Sequence, residues 1–301
     1  MLNTPILFLV FNRPESTRIT FDRIRQAAPT KLYVAADGPR ANVATEAEKC
    51  REVRQLIANG INWPCEVSYL YRENNLGCGR AVQEAIDWFF SCEESGIILE
   101  DDCLPSDSFF PFCSEMLEKY KNNMDVFHIT GSNFQYGKSR GNASYYFSSC
   151  IHVWGWASWK RAWQHYDKNM REYEMLKRTH PLKHILPWSQ FDEVYDGHID
   201  TWDMQWFYTC LYNRALSIIP NQNLIRNIGF GSQGATHTDF REPDYISKSV
   251  LSELEFPLKH PRKLKPDWHA DKFTAIKVFA TIKYPTWRVL ISKFKKTITG
   301  S

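Results

Sequence analysis

The sequence predicts an α/β protein built on a mostly parallel sheet flanked by helices, and three observations predict it. Apolar runs lie at 5–11, 31–36, 66–71, 96–99 and 126–130, largely continuous rather than alternating. That pattern belongs to strands buried on both faces. Stretches of helical period separate the runs, as in a sheet wound from β-α units. Polar clusters follow three of the runs directly, where such sheets bind ligands.

The first run, Pro5-Ile6-Leu7-Phe8-Leu9-Val10-Phe11, ends at Asn12-Arg13-Pro14. It has neither a basic lead-in nor a small-residue cleavage site, so it reads as a buried strand rather than a secretion signal. The second, Lys-Leu-Tyr-Val-Ala-Ala, ends at Asp37-Gly38-Pro39-Arg40. Thr45, with Glu48 three residues on, opens a helix over 45–59 that stops at Gly60. A second helix over 80–93 carries Ala81, Val82, Ala85, Ile86, Phe89 and Phe90 on one broad face. The Gly-Ile-Ile-Leu run ends at Glu100-Asp101-Asp102, and Pro105-Ser106 starts a third helix over 107–120. The second half is less regular. It holds an aromatic segment at 152–159, a mixed helical region to about residue 215, and a Gly-rich stretch from Gly229 to Gly234 that leads to His237.

A hydrophobic share of 43% and a charged share of 24% exclude disorder as the default. No segment reaches the ~18 continuous apolar residues of a membrane span. The eight cysteines show no Cys-x-x-Cys and no zinc-like pairing with histidine, so reduced thiols and a cytoplasmic location are expected. Charge is uneven. Between 258 and 301 eleven Lys or Arg face two Asp, a surplus of nine that leaves residues 1–257 at −6 of the total +3. A basic, aromatic-studded tail on an acidic body suggests an anionic partner outside the active site. The composition changes most clearly near residue 250.

In an extended chain Glu100 and Asp102 face the same side. Two hard oxygen donors at a strand end suit Mg²⁺ or Mn²⁺ bridged to phosphates, whereas a solvated acidic turn is the plainer use. Asp37 could accept bonds from a base or ribose, or cap its own turn. Arg13 could meet phosphate. Asn75-Leu76-Gly77-Cys78-Gly79-Arg80 opens a helix whose N-terminus favours anions.

Taken in order, Phe-Asn-Arg-Pro, Ala-Asp-Gly, Asn-x-Gly-x-x-x-Ala, Leu-Glu-Asp-Asp, Gly-Trp-x-x-Trp, Trp-Asp and Gly-x-x-Gly-x-x-His resemble the GT-A glycosyltransferases over roughly residues 5–240. The nearest likeness is to the Golgi β-1,2-N-acetylglucosaminyltransferase family and its bacterial relatives. The resemblance implies a GT-A fold over 1–250, with a nucleotide-binding half at 1–105, an irregular acceptor half at 106–250 and a basic aromatic segment at 251–301. It implies that Asp102 ligates Mn²⁺ or Mg²⁺ and that Glu100 contacts the nucleotide, with Asp101 in support. Arg13, Asp37 and Arg80 would bind the nucleotide, Asp203 would be the catalytic base with Asp200 in reserve, and His237 would approach the metal or diphosphate. Trp154, Trp156 and Trp159 would wall the sugar or acceptor, or pack as core. The implied reaction is inverting transfer from a UDP-sugar to a glycan or lipid-linked saccharide, in surface polysaccharide synthesis on the inner face of a membrane, with no nucleic acid partner. Two other readings are a sugar-nucleotide nucleotidyltransferase, which would open with a Gly-rich basic loop, and a non-catalytic glycan- or anion-binding module.

Overall fold

The computed structural model describes residues 1–181, 183–230 and 243–281. His237 and the chain after residue 281 lie outside the described residues.

Four parallel strands form the first half of an eight-stranded sheet. They are β1 (Ile6–Val10), β2 (Lys31–Ala36), β3 (Glu66–Tyr71) and β4 (Ser95–Glu100), in the spatial order β3-β2-β1-β4. Helices α1 (Pro14–Ala27), α2 (Glu46–Gly60) and α3 (Cys78–Cys92) make the crossovers. Every residue of β1 is buried, as its unbroken apolar run predicts. The predicted strands agree with the observed ones to within a residue at most ends. Helix α1 was not among the expected helices, because Asn12-Arg13-Pro14 reads as a strand-end cluster. Pro14 in fact sits at the first helical position, where its missing N–H costs nothing. Thr45 flanks α2 but makes no side-chain cap, so the expected capping box is absent.

After β4 the chain forms β5 (Cys103–Pro105), α4 (Phe109–Lys119), β6 (Val126–Thr130), β7 (Tyr145–Ser148) and β8 (Trp156–Trp159). Short helices α5 (Lys160–Trp163), α6 (Tyr173–Thr179) and α7 (Trp188–Tyr195) lead to α8 (Asp203–Tyr212), β9 (Leu216–Pro220) and β10 (Ile225–Asn227). The sheet continues from β4 as β8-β6-β9-β7. Only β8 and β7 run against the others, so the sheet is mostly parallel, as predicted. β8 is the aromatic segment, and it slots between β4 and β6. The antiparallel pair β5–β10 stands apart from the main sheet.

Past β10 the described chain resumes with α9 (Asp244–Ser247), then α10 (Trp268–Lys277) and a 3-10 turn, Phe279–Thr281. Residues 258–281 pack back on the sheet's β7 edge. Phe147 bridges to Pro266, and the buried Asp271 carboxylate accepts from the Ser148 hydroxyl at 2.6 Å and the Ser149 N–H at 3.1 Å. Among the described residues no helix is long and apolar enough to cross a membrane.

Candidate functional site

The carboxyl ends of β1 and β4 are neighbours because the two strands pair in register, Leu9 beside Glu100. The residues that follow each strand therefore meet. Arg13 enters the gap from the start of α1, where the Thr17 hydroxyl donates to its carbonyl at 2.7 Å. Its guanidinium donates from Nη1 to Asp102 Oδ2 at 2.8 Å and from Nη2 to Asp101 Oδ1. The Asp101 and Asp102 side chains are nearly buried. Thr20 of α1 donates to the Asp101 carbonyl at 3.1 Å, fastening the acidic turn to the helix from below. An internal cation thus bridges two of the three acids.

Burial opposes the charge on Arg13, but Asp101 and Asp102 outweigh it and hold the guanidinium above its ordinary range. Glu100 closes β4 in the same cluster. Burial, and then repulsion from Asp102, pushes its carboxyl up to about 8, with Arg13 pulling the other way. Burial pushes Asp101 up to about 6 against the attraction of Arg13. One oxygen of Asp101, Oδ2, is buried with no hydrogen-bond partner among the described residues.

The ribbon of β5 and β10 brings a second layer over the acids. Asn227 pairs with Cys103, and the Ile228 N–H donates to the Asp102 carbonyl at 2.8 Å. Gly229 then lies so close that a Cβ there would collide with Asp102 Oδ2 and stand 3.0 Å from Arg13 Nη1. Only a glycine lets the backbone pass this near. The ring of Phe230 meets that of half-buried Trp154 at 5.8 Å. Sequence reasoning marked a Gly-rich stretch here without seeing that its first glycine roofs the acidic cluster.

Asp203 comes from the far side, as the first residue of α8. Its Oδ1 accepts from the Thr201 hydroxyl and from the Met204 N–H at 2.9 Å. Its charge is near enough to raise the Glu100 carboxyl and the Cys78 thiol. Cys78, in the first turn of α3, is held far above the ordinary thiol range by burial and then by Glu100, Asp203 and Asp200. Asp200 explains how α8 is seated. Its carboxylate abuts both Gly77 and Gly79, and a Cβ on Gly79 would also stand 2.8 Å from the Thr201 carbonyl. The glycines of the Asn-Leu-Gly-Cys-Gly opening thus let the segment before Asp203 lie against α3.

The structure separates the other expected residues from this cluster. Asp37 spends its carboxylate on the turn that joins β2 to the loop before α3. It accepts from the Gly38 N–H at 2.9 Å, from Asn75 Nδ2 at 2.9 Å and from the Leu76 N–H at 3.1 Å. Arg80 is 60% exposed and pairs with Glu84 at 2.7 Å, one turn on along α3. Trp156 and Trp159 are buried core residues, Trp156 stacking on Trp202 at 5.6 Å, so of the three expected wall tryptophans only Trp154 reaches the site. Glu46 has no counterpart among the expected residues. Asn12 Nδ2 donates at 2.7 Å to the buried Glu46 carboxylate, which also pairs with Arg40, closing the rim beside Arg13. A buried glutamate at a helix start has no signature in sequence.

No family model matches the chain, and no curated protein matches it in sequence. Solved structures with a similar course of chain include a UDP-glucose pyrophosphorylase complexed with UDP-glucose, 11% identical with a TM-score of 0.40, over 82% of this chain and 97% of that one. The UTP-bound UGPase of Acinetobacter baumannii is 10% identical with a TM-score of 0.41, over 76% of this chain and 89% of that one. Mouse xyloside xylosyltransferase 1 in its apo form is 13% identical with a TM-score of 0.35, over 70% and 81%. At these identities and TM-scores the likeness bears on no residue's role.

Proposed function

We propose that this protein is a metal-dependent, inverting glycosyltransferase. It would move a hexose or hexosamine such as GlcNAc from a UDP-sugar to a glycan or lipid-linked saccharide of a surface polysaccharide. One observation carries the reading. Arg13, Glu100, Asp101 and Asp102 gather at the carboxyl edge of a parallel sheet, with Asp203 close enough to act on Glu100 electrostatically. Ligands of open α/β sheets bind at that edge.

Among the described residues no group of three or more His, Cys, Asp or Glu forms a ready cage. Mg²⁺-like ions at phosphate sites use one or two protein carboxylates and take their other oxygens from phosphate and water. Asp102, with Glu100 beside it, fits that pattern, and the unpartnered Oδ2 of Asp101 leaves carboxylate capacity to spare. His237 remains a further candidate ligand. A bound Mn²⁺ or Mg²⁺ would supply charge neutralisation for the leaving diphosphate.

The residues of the chain do the rest. Arg13 stays cationic and holds Asp101 and Asp102 in place. Asp37 would shape the approach to the nucleotide through the turn it fastens, and Arg80 would reach it by giving up Glu84. Asp203 takes the proton of an acceptor hydroxyl as that oxygen bonds to C1 of the sugar. The bond from C1 to the diphosphate breaks, and its electron pair leaves with UDP. Thr201 and the Met204 N–H orient Asp203 for this work.

The test is incubation of the full chain with Mn²⁺ and a panel of nucleotide sugars, followed by product analysis. Slow release of free sugar and UDP, abolished by chelation, is the expected result. Formation of a sugar 1-phosphate and UTP on adding pyrophosphate would assign a nucleotidyltransferase instead. Absence of any metal-dependent nucleotide binding would leave a binding module.

A further inference from the structure

We infer that the outer face of α10, together with the loop carrying Tyr136 and Lys138, is a docking surface for an anionic lipid bilayer. The basic, aromatic-studded tail reads in sequence either as a segment for an anionic membrane surface or as one that packs back on the domain, and the structure divides it. Its described part is folded onto the β7 edge, so one side of α10 is spent inward. Ala270, Asp271, Thr274 and Ala275 are buried there.

The opposite side is composed differently from an ordinary solvated helix face. Trp268 and Ile276 are 50% and 48% exposed, and Lys272 lies between them at helical spacing, with His269 also exposed. No acidic residue of α10 is on this side, since Asp271 points into Ser148 and Ser149. Asp267 is occupied as the cap, accepting from the Ala270 N–H at 2.9 Å.

A second element extends the face. The ring of Phe273 meets that of Tyr136 edge-on at 5.2 Å, and the Tyr136 hydroxyl donates to the Lys277 carbonyl at 3.1 Å. Lys138 and Arg140 lie over the Phe273 ring at 5.1 and 5.6 Å, and Lys248 lies over Tyr136 at 5.3 Å. Asp244 offsets the charge of Lys248. Lys138 and Arg140 are the other cations over these rings, and Lys272 stands exposed on the adjoining face of α10. The sequence past residue 281 adds Lys283, Arg288, Lys293, Lys295 and Lys296 with no acid at all.

Exposed Trp and Ile set among basic side chains match the two demands of a bilayer interface, apolar insertion and attraction to anionic headgroups. The half-exposed Ile276 adds apolar area that a bilayer interface takes up and that base stacking does not use. The face also connects to the candidate site. Tyr245 stacks on Trp154 at 6.1 Å, and Trp154 contacts Phe230 beside Gly229. This surface deepens the proposed function by saying where the membrane that bears a lipid-linked acceptor would lie, although its test does not need that function to hold.

The experiment is sedimentation of the full chain with phosphatidylcholine vesicles, with and without phosphatidylglycerol, and without any nucleotide sugar. Binding is expected only to the anionic vesicles and should weaken with salt. Each basic residue near such a surface is worth a factor of about five, so Lys272→Glu combined with Ile276→Ser should weaken partition at least about tenfold. Thermal unfolding and donor hydrolysis of that variant should match the parent chain. Equal binding to neutral vesicles, or none to either, overturns the proposal. So does undiminished binding by the folded variant, which would move the contact to the chain past residue 281. Retention by an oligonucleotide rather than by vesicles would overturn it as well.

Discussion

Arg13 and Asp203 have contrasting roles and should fail in contrasting ways. Arg13 is the counter-charge for two nearly buried aspartates, so Arg13→Met leaves those carboxylates unpaired. Removing one partner of a buried pair costs about 3–5 kcal/mol, which denaturant unfolding would read directly. Asp203 is half-buried and tied only by Thr201 and the Met204 N–H, so Asp203→Asn should leave stability within error. If Asp203 is the base, turnover falls by ~10²–10⁴ while calorimetry shows nucleotide affinity unchanged. A near-normal rate in that variant would move the role to another carboxylate, with Asp200 first in line.

At the scale of elements, the α3–α8 contact decides whether Asp203 faces the acids. The contact depends on glycines in the first turn of α3. Gly77 adopts φ +83°, a region that other residues enter only with strain, and Gly79 lies against the Thr201 backbone. A methyl at Gly79 must push away either the Asp200 carboxylate or the Thr201 carbonyl. Gly79→Ala should therefore cost about 1–3 kcal/mol by overpacking. It should also lower kcat, because the displaced segment carries Asp203. Stability lost with kcat intact would mean that α8 is seated by its core face alone. That face is substantial, with Trp206, Tyr208 and Cys210 all fully buried.

For the whole molecule, two buried histidines set the response to acid. His128 sits in β6, where Nε2 donates to the His152 carbonyl at 2.9 Å and Nδ1 accepts from the Trp206 indole at 3.2 Å. Both ring nitrogens are thereby committed to the neutral form. Burial pulls His128 down to about 4 and His152 down to about 3. An unfolded chain takes up these protons near pH 6.5, so it binds more protons than the folded one below that pH. The stabilisation is therefore complete above about pH 6.5. It is lost as the pH falls through about 4 and then 3. These two groups should lower the unfolding free energy by a few kcal/mol from pH 7 to 4, against the raised carboxyls of Glu100 and Asp101, which take up protons in the folded state over the same range. His128→Gln should therefore shift the measured slope toward greater stability in acid. The thiols give a second whole-molecule check. All eight cysteines are free and Cys92 is exposed, so a thiol reagent should label Cys92 first and reach all eight only on unfolding.

The sequence by itself determined the parallel half of the sheet. Runs such as Ile6-Leu7-Phe8-Leu9-Val10 are apolar at every position, and only a strand covered on both faces buries every residue. It also determined that Arg13 and the acids at 100–102 share one rim, because strand ends in such a sheet lie together. Tertiary structure decided everything that depends on packing between distant segments. The aromatic stretch at 152–159 carries no sign that it inserts between β4 and β6 as an antiparallel strand. Nor does the chain announce that Arg13 bridges Asp101 and Asp102 or that Gly229 covers them, and it left open whether Asp37 binds a ligand or caps its own turn. The basic tail illustrates the same limit. Its charge is plain in the residues, but which side of α10 meets solvent depended on the Asp271 contacts at the β7 edge. Hydrophobic period is local and can be read along the chain. Partner choice for a charged group is settled by whichever donor the fold brings within about 3 Å.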